Sequence, residues 1–343
     1  MQSFMAFLQK ERNASILLRL ARAGTIAVTM LLLLTFLLPG NLLTEASAFF
    51  VPQLIALGFT GLLIWIVLAK VLHWLHIASL LGLALSGYWM VTAIHQVVQS
   101  PIVSANGSET IELKVMSLNI LHMMFEKQAL QEMIESQQPD LISFQETASA
   151  SPRLKAFLSK NYEYSVLPPK NHDTDITLFS KYPLRNAEMI YVPDLKEGSH
   201  IPKEFLSTKV EVDGQLLQLY AVHPASPRGP NRLEGRTKYF SYLTNHIKIQ
   251  ADKDPLVIIG DWNTPVWSNT FQRLLEELNL KTALTGILPQ TTRYFLHSSL
   301  KILFGSKVDH IATSQNATIE NLIIGDDIGS DHFPVFATIR FSP

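Results

Sequence analysis

The chain has 343 residues, 47% of them apolar, with 28 Lys and Arg against 29 Asp and Glu and no cysteine. The lack of cysteine excludes disulfides and thiolate metal centres. Residues 1–107 hold only five of the basic and two of the acidic side chains, so the remainder is about four charges negative, which argues against a nucleic-acid binder because phosphate-backbone affinity comes from clustered Lys and Arg.

The N-terminal 22 residues carry Lys10, Arg12, Arg19 and Arg22 and give way to Ala23–Leu38, sixteen residues without a charge. A spanning helix needs ~20 residues, so Arg19 and Arg22 are read as snorkelling to the interface and the helix as covering about 20–38. Val51–Ala69 and Val71–Val98 supply nineteen and twenty-eight further uncharged residues, separated by Lys70. A cleaved signal peptide or a buried helical hairpin are the other readings; three consecutive near-spanning runs favour three transmembrane helices at about 20–38, 51–69 and 73–98. Positive charge before the first run and at Lys70, with only Glu45 in the Pro39–Phe50 loop, places the N-terminus and the Lys70 turn in the cytoplasm and sends the chain after Val98 outward. The expectation is a multi-pass protein of the cell (inner) membrane with its C-terminal domain extracytoplasmic.

Residues 99–109 are small, polar and turn-rich, as in a short linker between a membrane region at 1–98 and a domain at 110–343. From Ile111 onward, strand patterns alternate with helical stretches at Lys127–Gln137, Arg232–Gln250 and Asn269–Leu278; further strands are read at Asp140–Gln145, Gln215–His223, Val308–Thr313 and Thr318–Ile324. Mixed α and β, with helices covering sheets, is the class.

The most informative stretch is Val257–Pro265, Val-Ile-Ile-Gly-Asp-Trp-Asn-Thr-Pro. A buried strand stops at Gly260 and delivers Asp261 and Asn263 onto the following loop, where a carboxylate and an amide can together hold and deprotonate a water. An Asx-type turn leading into a helix near Ser268 would need the same residues. Other apolar runs also end in an acid, amide or imidazole: Ser117-Leu118-Asn119, Ser143-Phe144-Gln145-Glu146, Ala221-Val222-His223, Lys307-Val308-Asp309-His310 and Ser330-Asp331-His332.

This set and its order resemble the endonuclease/exonuclease/phosphatase superfamily, the metal-dependent phosphoesterases related to DNase I, over about residues 111–342. The resemblance implies an α/β fold: a four-layer sandwich of two packed β-sheets flanked by helices, with the site at one end. It implies Mg²⁺ as cofactor, or Mn²⁺, held by Glu146 and Asp331, with Asn119 beside them on the metal's outer shell or on a phosphate oxygen; hard divalent cations prefer carboxylate oxygen. It further implies that Asp261 orients or deprotonates the attacking water and that Asn263 holds that water or the phosphate. His223 and His332 would donate to phosphoryl oxygens, with Asp309 orienting His332. His310 then points to the opposite strand face. Arg228, Arg232 and Arg236 follow His223, with Arg232 and Arg236 at i, i+4, suited either to a solvated helix face or to a distal phosphate. Asp175 stands where relatives usually have glycine, so substrate transfer from any one relative is open. The leading reading is a membrane-anchored Mg²⁺-dependent phosphoesterase partnered by the lipid bilayer and hydrolysing a lipid-linked phosphate or pyrophosphate. The readings kept beside it are an extracellular metal-dependent nuclease and a catalytically inactive membrane receptor or scaffold.

Overall fold

The computed structural model describes residues 2–98, 110–121, 124–147, 151–168, 175–195, 204–250, 254–286 and 290–342. The linker read at 99–109 and the loop at 171–174 lie outside them. The chain divides into two compact units, one formed mainly by residues 1–95 and the other by residues 96–266 and 270–343.

The first unit holds helices α1 (Gln2–Leu37), α2 (Leu42–Ala48), α3 (Val51–Ala69) and α4 (Trp74–Val97). Three of these are long and apolar enough to cross a membrane, over Asn13–Leu37, Val51–Ala69 and Trp74–Val97. The first helix runs N-terminally past the expected start near residue 20. The most apolar windows of these helices are only 22–33% buried, and Leu20, Met30, Leu63, Val67 and Leu81 point outward. Such a surface suits a hydrocarbon solvent. The helices approach closely through small residues: a Cβ on Gly61 would lie 2.6 Å from Thr25 Oγ1, a packing device common between membrane helices. Within the stretch read as a loop, Pro39–Phe50, the structure has the extra helix α2. Asn41 caps it, Oδ1 accepting from Thr44 N–H at 3.1 Å, and Glu45 in its first turn accepts from Gly40 N–H at 3.2 Å.

The second unit begins with β1 (Ile111–Asn119), α5 (Lys127–Gln137), β2 (Leu141–Gln145), α6 (Ser151–Leu158), β3 (Tyr164–Val166), β4 (Ile176–Ser180), β5 (Leu184–Tyr191), β6 (Glu204–Val212) and β7 (Gln215–Val222). It continues through α7 (Pro230–Ile249), β8 (Leu256–Asp261), α8 (Asn269–Glu277), β9 (Lys281–Thr282), β10 (Arg293–Tyr294), β11 (Gly305–Ser306), β12 (Asp309–Thr313), β13 (Ala317–Ile324) and β14 (Val335–Phe341). Two six-stranded sheets form, ordered β13-β14-β1-β2-β4-β3 and β5-β6-β7-β8-β12-β9, with β10 and β11 as a separate ribbon. The pairs β1–β2 and β7–β8 are parallel.

Strand alternation explains both the core and the site. Leu113 and Val115 of β1, Leu217, Leu219 and Ala221 of β7, Val257 and Ile259 of β8, and Ile311 of β12 belong to one cluster between the sheets. Met116 and Leu118, on the opposite face of β1, pack with Leu130 and Ile134 of α5 and Leu154 and Leu158 of α6. The other sheet is covered by α7 and α8: Tyr239 stacks edge-on against Phe205 at 5.9 Å, and Phe271 lies 5.2 Å from Trp262. Two packed sheets flanked by helices are therefore the architecture. Continuing each inward-facing series in steps of two reaches Asn119 (by way of Ser117), His223, Asp261 and Asp309, so period-two geometry alone gathers these groups between the sheets at one end.

Candidate active site

Gly260 sets the end of β8. At φ +146°, it lies so near β7 that a Cβ would sit 2.0 Å from the Val222 carbonyl oxygen. Only glycine allows this approach, and Asp261 follows at once, fully buried. Its Oδ2 is a hub. Asn119 Nδ2 donates to it at 3.1 Å, Asn263 Nδ2 at 3.1 Å, and the Nε2 atoms of His223 and His332 stand 3.5 and 3.6 Å away. Burial works to raise the Asp261 pKa, but the charges of His332, His223 and Arg293 outweigh it and hold the carboxyl far below the ordinary range.

Asn119 also donates to Glu146 at 3.0 Å, while its Oδ1 accepts from Leu121 N–H at 3.0 Å. Asn119 thus holds two carboxylates in place. Glu146 itself has φ +57° and Asn263 φ +46°. The left-handed region is uncommon for any residue with a Cβ, and such strain collects at functional sites.

Each histidine has its own carboxylate. His332 Nδ1 lies 3.1 and 2.9 Å from the two oxygens of Asp309, and both side chains are inaccessible to solvent. His223 Nδ1 lies 3.0 Å from Asp175 Oδ2. Burial alone would lower both imidazole pKa values; the facing carboxylates, Asp309 and Asp261 for one and Asp175 and Asp261 for the other, more than reverse this and raise them. Burial pushes the Asp309 carboxyl up, only partly offset by His332. Asp175 therefore pairs with a site histidine. The backbone around that pair is itself held: Asp175 N–H donates to Glu204 at 2.6 Å, and His223 N–H donates to the Tyr239 hydroxyl at 3.1 Å.

His310 turns away from the site as strand alternation requires. Its Nε2 lies 2.8 Å from the Thr264 carbonyl and its ring packs 4.5 Å from Phe271; burial holds its pKa well below the ordinary value. Arg236 corrects both expectations for it, since it is neither solvated nor open to a phosphate. It is 1% exposed, donating from Nη1 to Asn263 O at 2.9 Å and Thr264 Oγ1 at 3.0 Å. Arg228 and Arg232 are more open, and the charges of Glu146 and Arg293 act on both.

Arg293 is the residue the sequence did not disclose. It is 5% exposed, donating from Nη1 to Asn263 Oδ1 at 3.0 Å and from Nη2 to Asp331 Oδ2 at 3.3 Å. It therefore bridges two strand-end motifs. Thirty residues of chain separate it from Asn263, and a lone Thr-Thr-Arg-Tyr carries no local pattern that could have flagged it.

Among the described residues, the buried site atoms without a hydrogen-bond partner include His332 Nε2, Asp331 Oδ1 and Arg293 Nε; the first two lie 3.9 Å apart. A buried polar group left unpaired is costly unless a ligand supplies the partner. Five carboxylates (Glu146, Asp175, Asp261, Asp309 and Asp331) also converge here, with Arg293, His223 and His332 in direct contact and Arg228 and Arg232 within electrostatic reach. Carboxylate oxygens clustered around one that lacks a hydrogen-bond partner fit a hard divalent cation.

The sequence profile of the Endonuclease/Exonuclease/phosphatase family matches residues 116–332. Solved structures share the fold. An endonuclease/exonuclease/phosphatase from Beutenbergia cavernae is 18% identical with a TM-score of 0.53, over 67% of this chain and 72% of that one. A beta toxin mutant from Staphylococcus aureus with bound magnesium ions is 16% identical, TM-score 0.52, over 68% and 100%. The 3' phosphatase NExo from Neisseria, bound to a product DNA hairpin, is 14% identical, TM-score 0.52, over 66% and 98%. No curated protein matches the chain. With its profile match spanning most of the chain, this protein belongs to the Endonuclease/Exonuclease/phosphatase family and is a metal-dependent phosphoric ester hydrolase.

Proposed function

We propose that the protein is a membrane-anchored, Mg²⁺-dependent phosphoesterase that hydrolyses a lipid-linked phosphate or pyrophosphate, its catalytic unit at 110–343 facing away from the cytoplasm. The observation that carries the chemistry is the pair of unpaired buried atoms, His332 Nε2 and Asp331 Oδ1, beside the Asp261 hub. A donor and a carboxylate oxygen lacking hydrogen-bond partners, next to a buried, ionised aspartate, make a place for a phosphoryl group and its attacking water.

Asp261 takes the proton of that water, and Asn263, bonded to it from both its backbone and its side chain, fixes the direction of the carboxylate. His332 and His223 donate from Nε2 to phosphoryl oxygens as negative charge grows there, Asp309 and Asp175 holding each ring by its Nδ1. Glu146 and Asp331 would hold Mg²⁺ or Mn²⁺, with Asn119 in the outer shell. The ion, when bound, neutralises phosphoryl charge and acidifies bound water. Asp261, Asp309 and His332 also place donor atoms within 4.8 Å of one another, a geometry compatible with a metal. We assign that group to the imidazole–carboxylate pair instead, because both Asp309 oxygens are engaged by His332 Nδ1.

Two features support a lipid-linked substrate. Three helices long enough to cross a bilayer restrict the enzyme to targets near it, and Arg228 and Arg232 supply cations for a second phosphate. The acidic balance of the later part of the chain tells against DNA. Purified full-length protein in detergent with Mg²⁺ should release phosphate from a polyprenyl phosphate or pyrophosphate and leave plasmid DNA intact. Nicking of the plasmid with no lipid turnover would reverse the assignment in favour of the nuclease.

A further inference from the structure

The segment between β10 and β11 presents apolar side chains to solvent. Leu296, Leu300, Ile302, Leu303 and Phe304 are 67%, 39%, 80%, 59% and 41% exposed. Among the described residues of the catalytic unit, the other large apolar side chains this exposed, Met124, Tyr191, Ile249 and Ile323, are scattered singly. Isolated exposed apolar residues are ordinary, whereas a cluster marks an interaction surface.

The cluster is built, not loose. Phe295 N–H donates to Phe304 O at 2.8 Å, closing the loop. Leu303 and Phe304 N–H both reach Leu300 O at 2.9 Å, and Thr291 Oγ1 donates to Lys301 O at 3.1 Å. A Cβ at Gly305 would lie 2.2 Å from that same Lys301 oxygen. The base is continuous with the site. Thr292 Oγ1 accepts from Val308 and Asp309 N–H at 2.9 and 3.0 Å, Thr292 O accepts from Phe333 N–H at 2.7 Å, and Arg293 joins Asn263 and Asp331.

Charge identifies the partner. Residues 278–308 contain no Asp or Glu, in a part of the chain that is otherwise acidic; Lys301 is exposed within the loop, whereas Arg293 and Lys307 at its base are buried. An apolar tip that bears one exposed Lys and no acid is complementary to an anionic bilayer surface, where apolar side chains enter the acyl boundary and Lys301 meets the headgroups. Three helices of the same chain are long and apolar enough to cross a membrane. We propose that the loop 295–304 is a bilayer-docking element that seats the catalytic end of the sandwich on anionic lipid. This rests on the reading that the helices hold the chain in a membrane, and not on which phosphoester is cut.

The test uses the full-length chain reconstituted in vesicles of phosphatidylcholine and phosphatidylglycerol. As the chain lacks cysteine, Ile302→Cys and Gln250→Cys each take a single environment-sensitive dye. Gln250 is exposed at the far end of the twenty-residue helix α7, about 30 Å from the helix start. Docking predicts quenching of the dye at residue 302 by lipid-borne nitroxide and none at 250. Equal absence of quenching at both positions overturns the proposal. So does a spectral change at 302 that tracks protein density and ignores the lipid quencher, since a second copy would then cover the loop.

In a second arm, Leu296, Ile302 and Leu303 are each replaced by Ser. Cleavage of vesicle-borne lipid phosphate should fall about tenfold or more, with cleavage of soluble bis(p-nitrophenyl) phosphate unchanged. Equal activity on vesicles would refute docking. Quenching at 302 in a protein that cleaves no lipid phosphate would uphold docking and remove the lipid-linked substrate.

Discussion

The two imidazole–carboxylate pairs differ in depth. His332 and Asp309 are both sealed from solvent; His223 and Asp175 keep side-chain exposures of 6% and 20%. The deep pair joins β12 to the chain end that leads into β14, whereas the shallow one joins the end of β7 to the residue before β4. Asp261 touches both. Water can substitute for a lost partner at the shallow pair and cannot at the deep one, because an unpaired buried donor has nothing else to bind. Depth should therefore rank the residues.

Asp261→Asn strikes both pairs and removes the proton acceptor, so turnover should fall by ~10² to 10⁴ with the fold retained. A variant keeping more than about a tenth of wild-type turnover would show that another group takes the proton. Asp309→Asn leaves His332 Nδ1 facing a buried amide, and a loss of about 10² or more is expected in kcat. Measuring Asp175→Asn alongside it sharpens the contrast: water at the more open pair should limit that loss to about tenfold. Equal losses for the two would mean that depth does not govern the pairs. Glu146→Ala should differ in kind, raising the Mg²⁺ concentration needed for half-maximal rate, with excess metal restoring part of the activity. An unchanged metal titration would take Glu146 out of the metal site. The smallest effect concerns sidedness: Gln250→Cys should leave activity intact and react with an impermeant thiol reagent on whole cells. Labelling only after lysis would put the catalytic unit in the cytoplasm.

How much of this was legible in the sequence follows from range. Strand ends could be read locally, because an apolar run with period two that stops at a polar residue fixes both the face and the end on which that residue sits. Asn119, His223, Asp261 and Asp309 were accessible that way, and His310 was assigned to the far face by the same rule. The resemblance to a family supplied the pairing of Asp309 with His332, which no local pattern gives. Arg293 and the Asp175–His223 pair depend on contacts between residues thirty and forty-eight positions apart, set only once both sheets are stacked. Arg236 misled because an i, i+4 pair on a helix looks the same whether its second member meets water or the loop after β8. The left-handed backbone at Glu146 has no sequence signature, since neither Gly, Asn nor Asp stands there.

The contact at Gly260 bears on how this protein tolerates change. A substitution there has nowhere to put its first carbon, because the obstacle is the Val222 carbonyl, a main-chain atom that no repacking of side chains can move aside. In a library randomised at that codon and selected for folded protein, glycine should be the sole survivor, whatever reaction the enzyme is screened for. Asp261 and Asn263 would be filtered by activity as well as by their buried hydrogen bonds, so comparing a stability selection with a functional one at residues 260, 261 and 263 would separate the residue that shapes the site from those proposed to use it.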